Sequence, residues 1–271
     1  MKYFIFLLVI SFLAACQDKS KEKSDIVDNT KDSAEFQIKG AYSMIKQIGN
    51  DGTKDTLLKK EQLKIYSDHY MMYASPRATD SFGEYGIGTY RQEPNKVTEY
   101  IFYTSSAGDV KDTAVLEITP LPNGYKQVTR YADANSVFII TEEYDKVGKE
   151  PPSPLDGAWT QVKNILINRK GDTTRNTKIT QFKIYESGYF IWANPNKDPA
   201  SNNFNSLYGY GTFKMLDKNK SQEININSTF STLLVGKPVD IDLEFMGNDQ
   251  YKQTILGPRG EKSVEIYERL K

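Results

Sequence analysis

Few residue types in this 271-residue chain could do chemistry, and each one is informative. There is one histidine, His69, and one cysteine, Cys16. A Ser-His-Asp triad would have to be built on His69, and no Gly-x-Ser-x-Gly motif accompanies it. His69 lies in Ser67-Asp68-His69, which reads as a surface turn. Asp240, Asp242 and Glu244 recur at period two and could offer oxygens to calcium, which wants six to eight. Strand periodicity also makes them a solvated outer face, with Ile241, Leu243 and Phe245 turned inward. Glu99 and Glu223, with Lys64 and Lys183, are charged residues that could sit inside a core or on its surface. Gly86/Gly88 and Gly209/Gly211 resemble phosphate-cradling pairs, but no helix pattern follows them. Glycines at alternate strand positions fit a barrel kink instead.

Composition narrows the classes. Lys+Arg and Asp+Glu are each 35, so there is no basic footprint for nucleic acid. Aromatics are 12% of residues, too many for a disordered chain. One cysteine allows no internal disulfide. No cofactor or metal is implied, and the expectation is a protein that is not an enzyme. A carboxylate-dependent enzyme using Glu99 or Glu223 is the least favoured reading.

The first residues form an address. Lys2 supplies a positive start, and an uncharged stretch covers 3–15. That is too short to span a bilayer, which needs about 20 apolar residues. The stretch closes with Leu13-Ala14-Ala15-Cys16, which resembles the lipobox of bacterial lipoproteins. The resemblance implies cleavage before Cys16, lipid attachment at Cys16 and anchoring by several acyl chains. Gln17 follows, where such lipoproteins retained in the inner membrane carry Asp, so it implies the outer membrane. Residues 17–35 hold ten charges and almost nothing apolar, a disordered tether of roughly 24 Å root-mean-square span.

The remainder is one unit written twice. Gly40-Ala41-Tyr42 returns as Gly157-Ala158-Trp159. The run from Leu63 to Pro76 returns without gaps from Phe182 to Pro195. Tyr85-Gly86-Ile87-Gly88-Thr89-Tyr90 returns as Tyr208-Gly209-Tyr210-Gly211-Thr212-Phe213. Glu99 matches Glu223, and Tyr125-Lys126-Gln127 matches Tyr251-Lys252-Gln253. Order is kept throughout, and the period far exceeds that of solenoid repeats. The division is therefore a signal peptide at 1–15, lipidated Cys16 and tether at 16–35, one domain at 36–147, a Pro-rich linker at 148–154 and a second domain at 155–271. Alternating runs such as Ile224-Asn225-Ile226-Asn227, broken by turn signals, predict seven or eight antiparallel strands per copy. A meander of that size hides its edges by closing into a barrel.

Gly157-Ala158-Trp159 opening such a meander resembles the lipocalin signature, from which the first copy departs with Tyr42. Each copy is similar to lipocalin-like (calycin) domains of bacterial lipoproteins. The resemblance implies an all-β chain of two tandem barrels. An eight-stranded barrel is either filled or holds one small ligand. The candidate ligand-binding residues are Tyr66, Tyr73, Tyr85 and Glu99, with Tyr185, Trp192, Tyr208 and Glu223 in the second copy. Aromatics with polar tips suit a small, partly apolar or aromatic molecule. The leading expectation is non-catalytic binding by an envelope lipoprotein, with the membrane as its partner through the anchor. The alternative is a structural or partner-binding envelope module with packed barrels.

Overall fold

The computed structural model describes residues 36–76, 84–132, 136–176, 181–195, 207–257 and 259–271. Residues 1–35, where the expected signal peptide, Cys16 and the expected tether fall, lie outside the described residues. Within 36–271 the first copy contains β1 (Gly40–Asn50), β2 (Asp55–Leu58), β3 (Leu63–Tyr66), β4 (Tyr70–Ser75), β5 (Glu84–Glu93), β6 (Lys96–Thr104), β7 (Gly108–Leu121), β8 (Gly124–Ala132) and β9 (Val137–Lys146). The second contains β10 (Gly157–Ile167), β11 (Thr173–Asn176), β12 (Phe182–Glu186), β13 (Tyr189–Asn194), β14 (Leu207–Asp217), β15 (Lys220–Ser228), β16 (Pro238–Phe245), β17 (Gln250–Leu256) and β18 (Lys262–Arg269). One short 3-10 turn, Thr232–Leu234, precedes β16.

Each copy is a closed antiparallel meander. Strands β3 to β9 pair in sequence order, and β9 returns to β1, with Met44 opposite Tyr144. The early half of β1 pairs with β3 and its late half with the short β2. The circuit thus has eight strands, with β2 extending the β3 position. The second copy repeats this, and β18 closes on β10. Even the irregularity is shared: the closing ladder shifts between Met44 and Lys46 in one copy and between Gln161 and Lys163 in the other. The chain is an internal duplication of a closed eight-stranded antiparallel barrel.

Side-chain parity explains the barrels. On β16, Ile241 and Leu243 are buried while Asp240, Asp242 and Glu244 are exposed. The three acids are matched by Gln222, Lys220 and Lys252 on neighbouring strands. The outer face of β16 is therefore polar and faces water. Among the described residues no His, Cys, Asp or Glu group could hold a metal ion, and no helix is long and apolar enough to cross a membrane. The glycine pairs are kinks. A Cβ on Gly88 would fall 2.4 Å from the Tyr100 carbonyl oxygen, and one on Gly211 would fall 2.0 Å from that of Ile224. Both ladders shift register there.

One end of each barrel, its base, is plugged. Ile38 and Leu155 are fully buried there, 117 positions apart in the repeat. Gln92 grips the first plug by accepting from the Ile38 N–H and donating to the Phe36 carbonyl. Trp159 donates its indole N–H to the Leu155 carbonyl at 2.7 Å, under the Arg269 guanidinium. Aromatic rings fill the space above. Tyr125 stacks on Tyr144 at 5.0 Å in one barrel, and Tyr251 on Tyr267 at 5.0 Å in the other.

The barrels share a third core. The outer faces of β3–β5 and β12–β14 pack together, burying Ile65, Met72 and Ala74 with Ile184, Ile191 and Ala193. These triplets occupy equivalent repeat positions. The two faces are one face in two copies, as in an isologous dimer. At the edge of this junction Lys39 pairs with Asp68 at 2.6 Å and lies 3.8 Å from Glu186 of the second barrel. Glu186 is buried, and its Oε2 has no hydrogen-bond donor. Burial, reinforced by the Asp156 and Asp68 carboxylates and only partly offset by Lys39 and Ser187, pushes it up to about 7. A raised acid favours the folded state most at low pH. Stability should therefore fall as pH rises from the ordinary carboxylate range through 7, by on the order of 3 kcal/mol. Urea unfolding between pH 5 and 8 checks this. Glu186→Gln should flatten the slope, and an unchanged slope would place the dependence elsewhere.

Candidate functional site

The lumens hold polar networks of a kind that an apolar barrel core would not contain. In the first barrel β3 contributes Lys64 and Tyr66, and β6 contributes Glu99 between inward Val97 and Ile101. Lys64 Nζ lies 2.8 Å from Glu99 Oε1, and both residues are at least 95% buried. The Tyr66 hydroxyl donates to the same oxygen. The second barrel repeats the set. Lys183 Nζ lies 2.7 Å from Glu223 Oε1, and the Tyr185 hydroxyl donates to it at 2.6 Å. Burial first, and the neighbouring glutamate second, raise both tyrosines well above their ordinary value, so each stays a donor.

A second polar layer lies beside each pair. Glu142 accepts from Gln47 and Gln127. Tyr144 reaches Gln62 at 2.7 Å and Glu142 at 3.1 Å. In the second barrel Glu265 accepts from Gln253 at 2.7 Å, Tyr267 at 2.7 Å and Ser263 at 2.9 Å. Gln253 and the closing strand repeat Gln127 and its partner strand. That repetition was the sequence signal for this layer, which aromatic content alone does not reveal.

The eight candidate residues divide three ways. Tyr66, Glu99, Tyr185 and Glu223 come together in the two ion-pair networks. Tyr73 and Trp192 face the lumens above them, each lying across a glycine. A Cβ on Gly86 would meet the Tyr73 ring at 2.6 Å, and one on Gly209 would meet the Trp192 indole at 2.8 Å. Tyr85 and Tyr208 point the other way. Their rings lie 5.4 Å apart in the core between the barrels, and the Tyr208 hydroxyl donates to the Ser75 carbonyl at 2.7 Å. They therefore lie outside both lumens, because the outer face of their strands is buried too. Cys16 lies outside the described residues. His69 sits in the β3–β4 turn, exposed, with its carbonyl accepting from the Tyr90 N–H.

No family model and no curated protein matches the sequence. Two solved structures are similar to it. A lipocalin-like protein from Bacteroides uniformis ATCC 8492 is 14% identical, with a TM-score of 0.31, over 44% of this chain and 100% of that one. A "putative outer membrane protein" from Bacteroides fragilis NCTC 9343 is 10% identical, with a TM-score of 0.26, over 86% of this chain and 98% of that one. Both likenesses are loose, and the barrel architecture stands on the strand pairing alone.

A cleft of about 280 Å³ lies outside the lumens, where the linker crosses the base of the second barrel. Val147, Lys149, Glu150, Phe213 and Lys214 line it. Its size is at the lower limit for small-molecule sites.

Proposed function

We propose that this protein is an envelope-anchored module that binds a small, partly apolar molecule through the open end of a barrel lumen. The observation that carries the reading is the buried Lys–Glu–Tyr set present in both copies. Desolvating an ion pair often costs as much as it returns, and a packed apolar core of the same volume would be at least as stable. Its retention in two copies that differ at most other positions speaks for use. The base of each lumen is plugged, so this reading requires access from the opposite end. The lipobox-like run ending at Cys16 supports placement on a membrane, in the outer membrane by the residue that follows.

The packed, partner-binding module is the second reading. It is favoured by the ion pairs being satisfied from within the protein. Native mass spectrometry of the full-length protein, purified from its own envelope in detergent, separates the two. A small molecule that co-purifies and leaves on denaturation supports binding. A ligand-free mass, with no lumen probe bound at millimolar concentration, overturns it. The anchor has its own check: Cys16→Ser should move the protein from the detergent phase to the aqueous phase, and an unchanged partition would remove the lipid from the account.

A further inference from the structure

We propose that the lumen of the second barrel takes a small organic cation, an amine or amidine carried on an apolar body. This rests on the lumen-binding reading and names its ligand class.

The first observation is a carboxylate without a counter-charge. Glu265 points into the lumen from β18 and is partly open to solvent. Its three hydrogen-bond donors, from Gln253, Ser263 and Tyr267, are all neutral. The lumen's own cation, Lys183, is held by Glu223 at 2.7 Å. Among the described residues Glu265 has no cationic partner. Neutral donors leave its charge without a counter-ion, and a bound cation would supply one.

The second observation is independent. Gln253 is 2% exposed, and its amide nitrogen is committed to Glu265. Its carbonyl oxygen, Oε1, has no donor. Leaving such a buried acceptor without a donor is costly. An occupant must therefore bring N–H or O–H groups. An ether or a carboxylate would not satisfy the site.

The first barrel shows how the same acceptor looks when the protein fills it itself, although its carboxylate Glu142 is likewise held only by neutral donors. There the equivalent acceptor, Gln127 Oε1, receives Lys64 Nζ at 3.4 Å. There Glu142 is also held by Gln47 at 2.5 Å. The second barrel has Asn164 in place of Gln47. That side chain is one methylene shorter and donates to Ser263 at 3.2 Å instead. Ser263 replaces Ile140 and Asn225 replaces Ile101, so this lumen is the more polar of the two. Trp192, partly exposed on the same lumen, replaces Tyr73. An indole face is the best aromatic partner for a cation.

The test uses the full-length protein in detergent at pH 7 and three near-isosteric probes: phenethylamine, 3-phenylpropionate and 3-phenyl-1-propanol. Isothermal titration should give one phenethylamine site per chain, at least tenfold tighter than either other probe. Glu265→Gln should weaken it at least tenfold. The outer-face variant Glu244→Gln should leave it unchanged. If Glu265→Gln fails to fold, Ser263→Lys provides the second variant. Its built-in ammonium beside Glu265 should abolish amine binding while the circular dichroism is kept. An amine that binds no better than the alcohol, or that binds Glu265→Gln equally well, overturns the cation assignment and leaves lumen binding standing. Silence from all three probes, with a ligand-free native mass, overturns both.

Discussion

Replacing Lys183 with alanine is expected to destabilise the protein by about 3–5 kcal/mol, out of all proportion to one lysine. The reason is what stays behind. Glu223 would keep its place on β15, 7% exposed, with only the Tyr185 hydroxyl and no ammonium to balance it. The methylene stem of Lys183 also packs near Tyr185 and Phe190, whose ring centroids lie 4.9 and 5.2 Å from Nζ. Removing both charges together should behave differently. Lys183→Met with Glu223→Leu fills similar volume without desolvating an ion and should fall within about 1.5 kcal/mol of the parent. Tyr185 would then lose its acceptor, which sets the residual cost. Urea unfolding of the single and double variants reads both values. Equal losses in the single and double variants would mean that packing, not charge, holds this part of the lumen. The parallel pair in the first barrel, Lys64 and Glu99, should respond with the same sign.

How much of this was legible in the sequence depends on which face of a strand is asked about. The duplication was plain because strand residues repeat in order, and the closed circuit followed from strand number. Strands β2 and β11 were not legible. Each is four residues long, and the described side chains are exposed, so no apolar face marks them. The outer acids of β16 could be placed because one face of that strand meets water. The strands at the junction could not be read this way. In β3 every residue is buried, and in β4 the lumen side takes Met71 and Tyr73 while the outer side takes Met72 and Ala74. Apolar periodicity fixes a side only when the other side is wet. Tyr85 and Tyr208 were therefore indistinguishable from lumen aromatics, and Lys64 and Lys183 from surface lysines. What resolves them is a second barrel lying against the first, which a single copy's pattern does not contain.

That shared face carries the other large effect. Ala74→Asp should lower stability by about 3 kcal/mol, because Ala74 is fully buried between the barrels and points away from the lumen. For a unit of this size the loss corresponds to a fall of roughly 6–12 °C in the melting midpoint. The lumen networks lie on the opposite face of β4 and should survive, so far-ultraviolet circular dichroism should keep its β signature while an apolar dye begins to bind. Val115→Asp is the control. Val115 is exposed on β7, and a charge there should stay within about 0.5 kcal/mol of the parent. Equal behaviour of the two variants would mean that the barrels do not depend on each other. Symmetry adds a sharper consequence. The face built from Ile65, Met72 and Ala74 matches its counterpart built from Ile184, Ile191 and Ala193, so either face is complementary to a copy of itself as well as to its neighbour. Residues 36–147 expressed alone would bare it to water. Single apolar side chains on a surface are tolerated, but a contiguous patch of this kind seeks a partner. Sedimentation of that fragment should report a dimer, and Ala74→Asp within it should return a monomer. A monomeric parent fragment would show that the linker, not the matched faces, holds the barrels together.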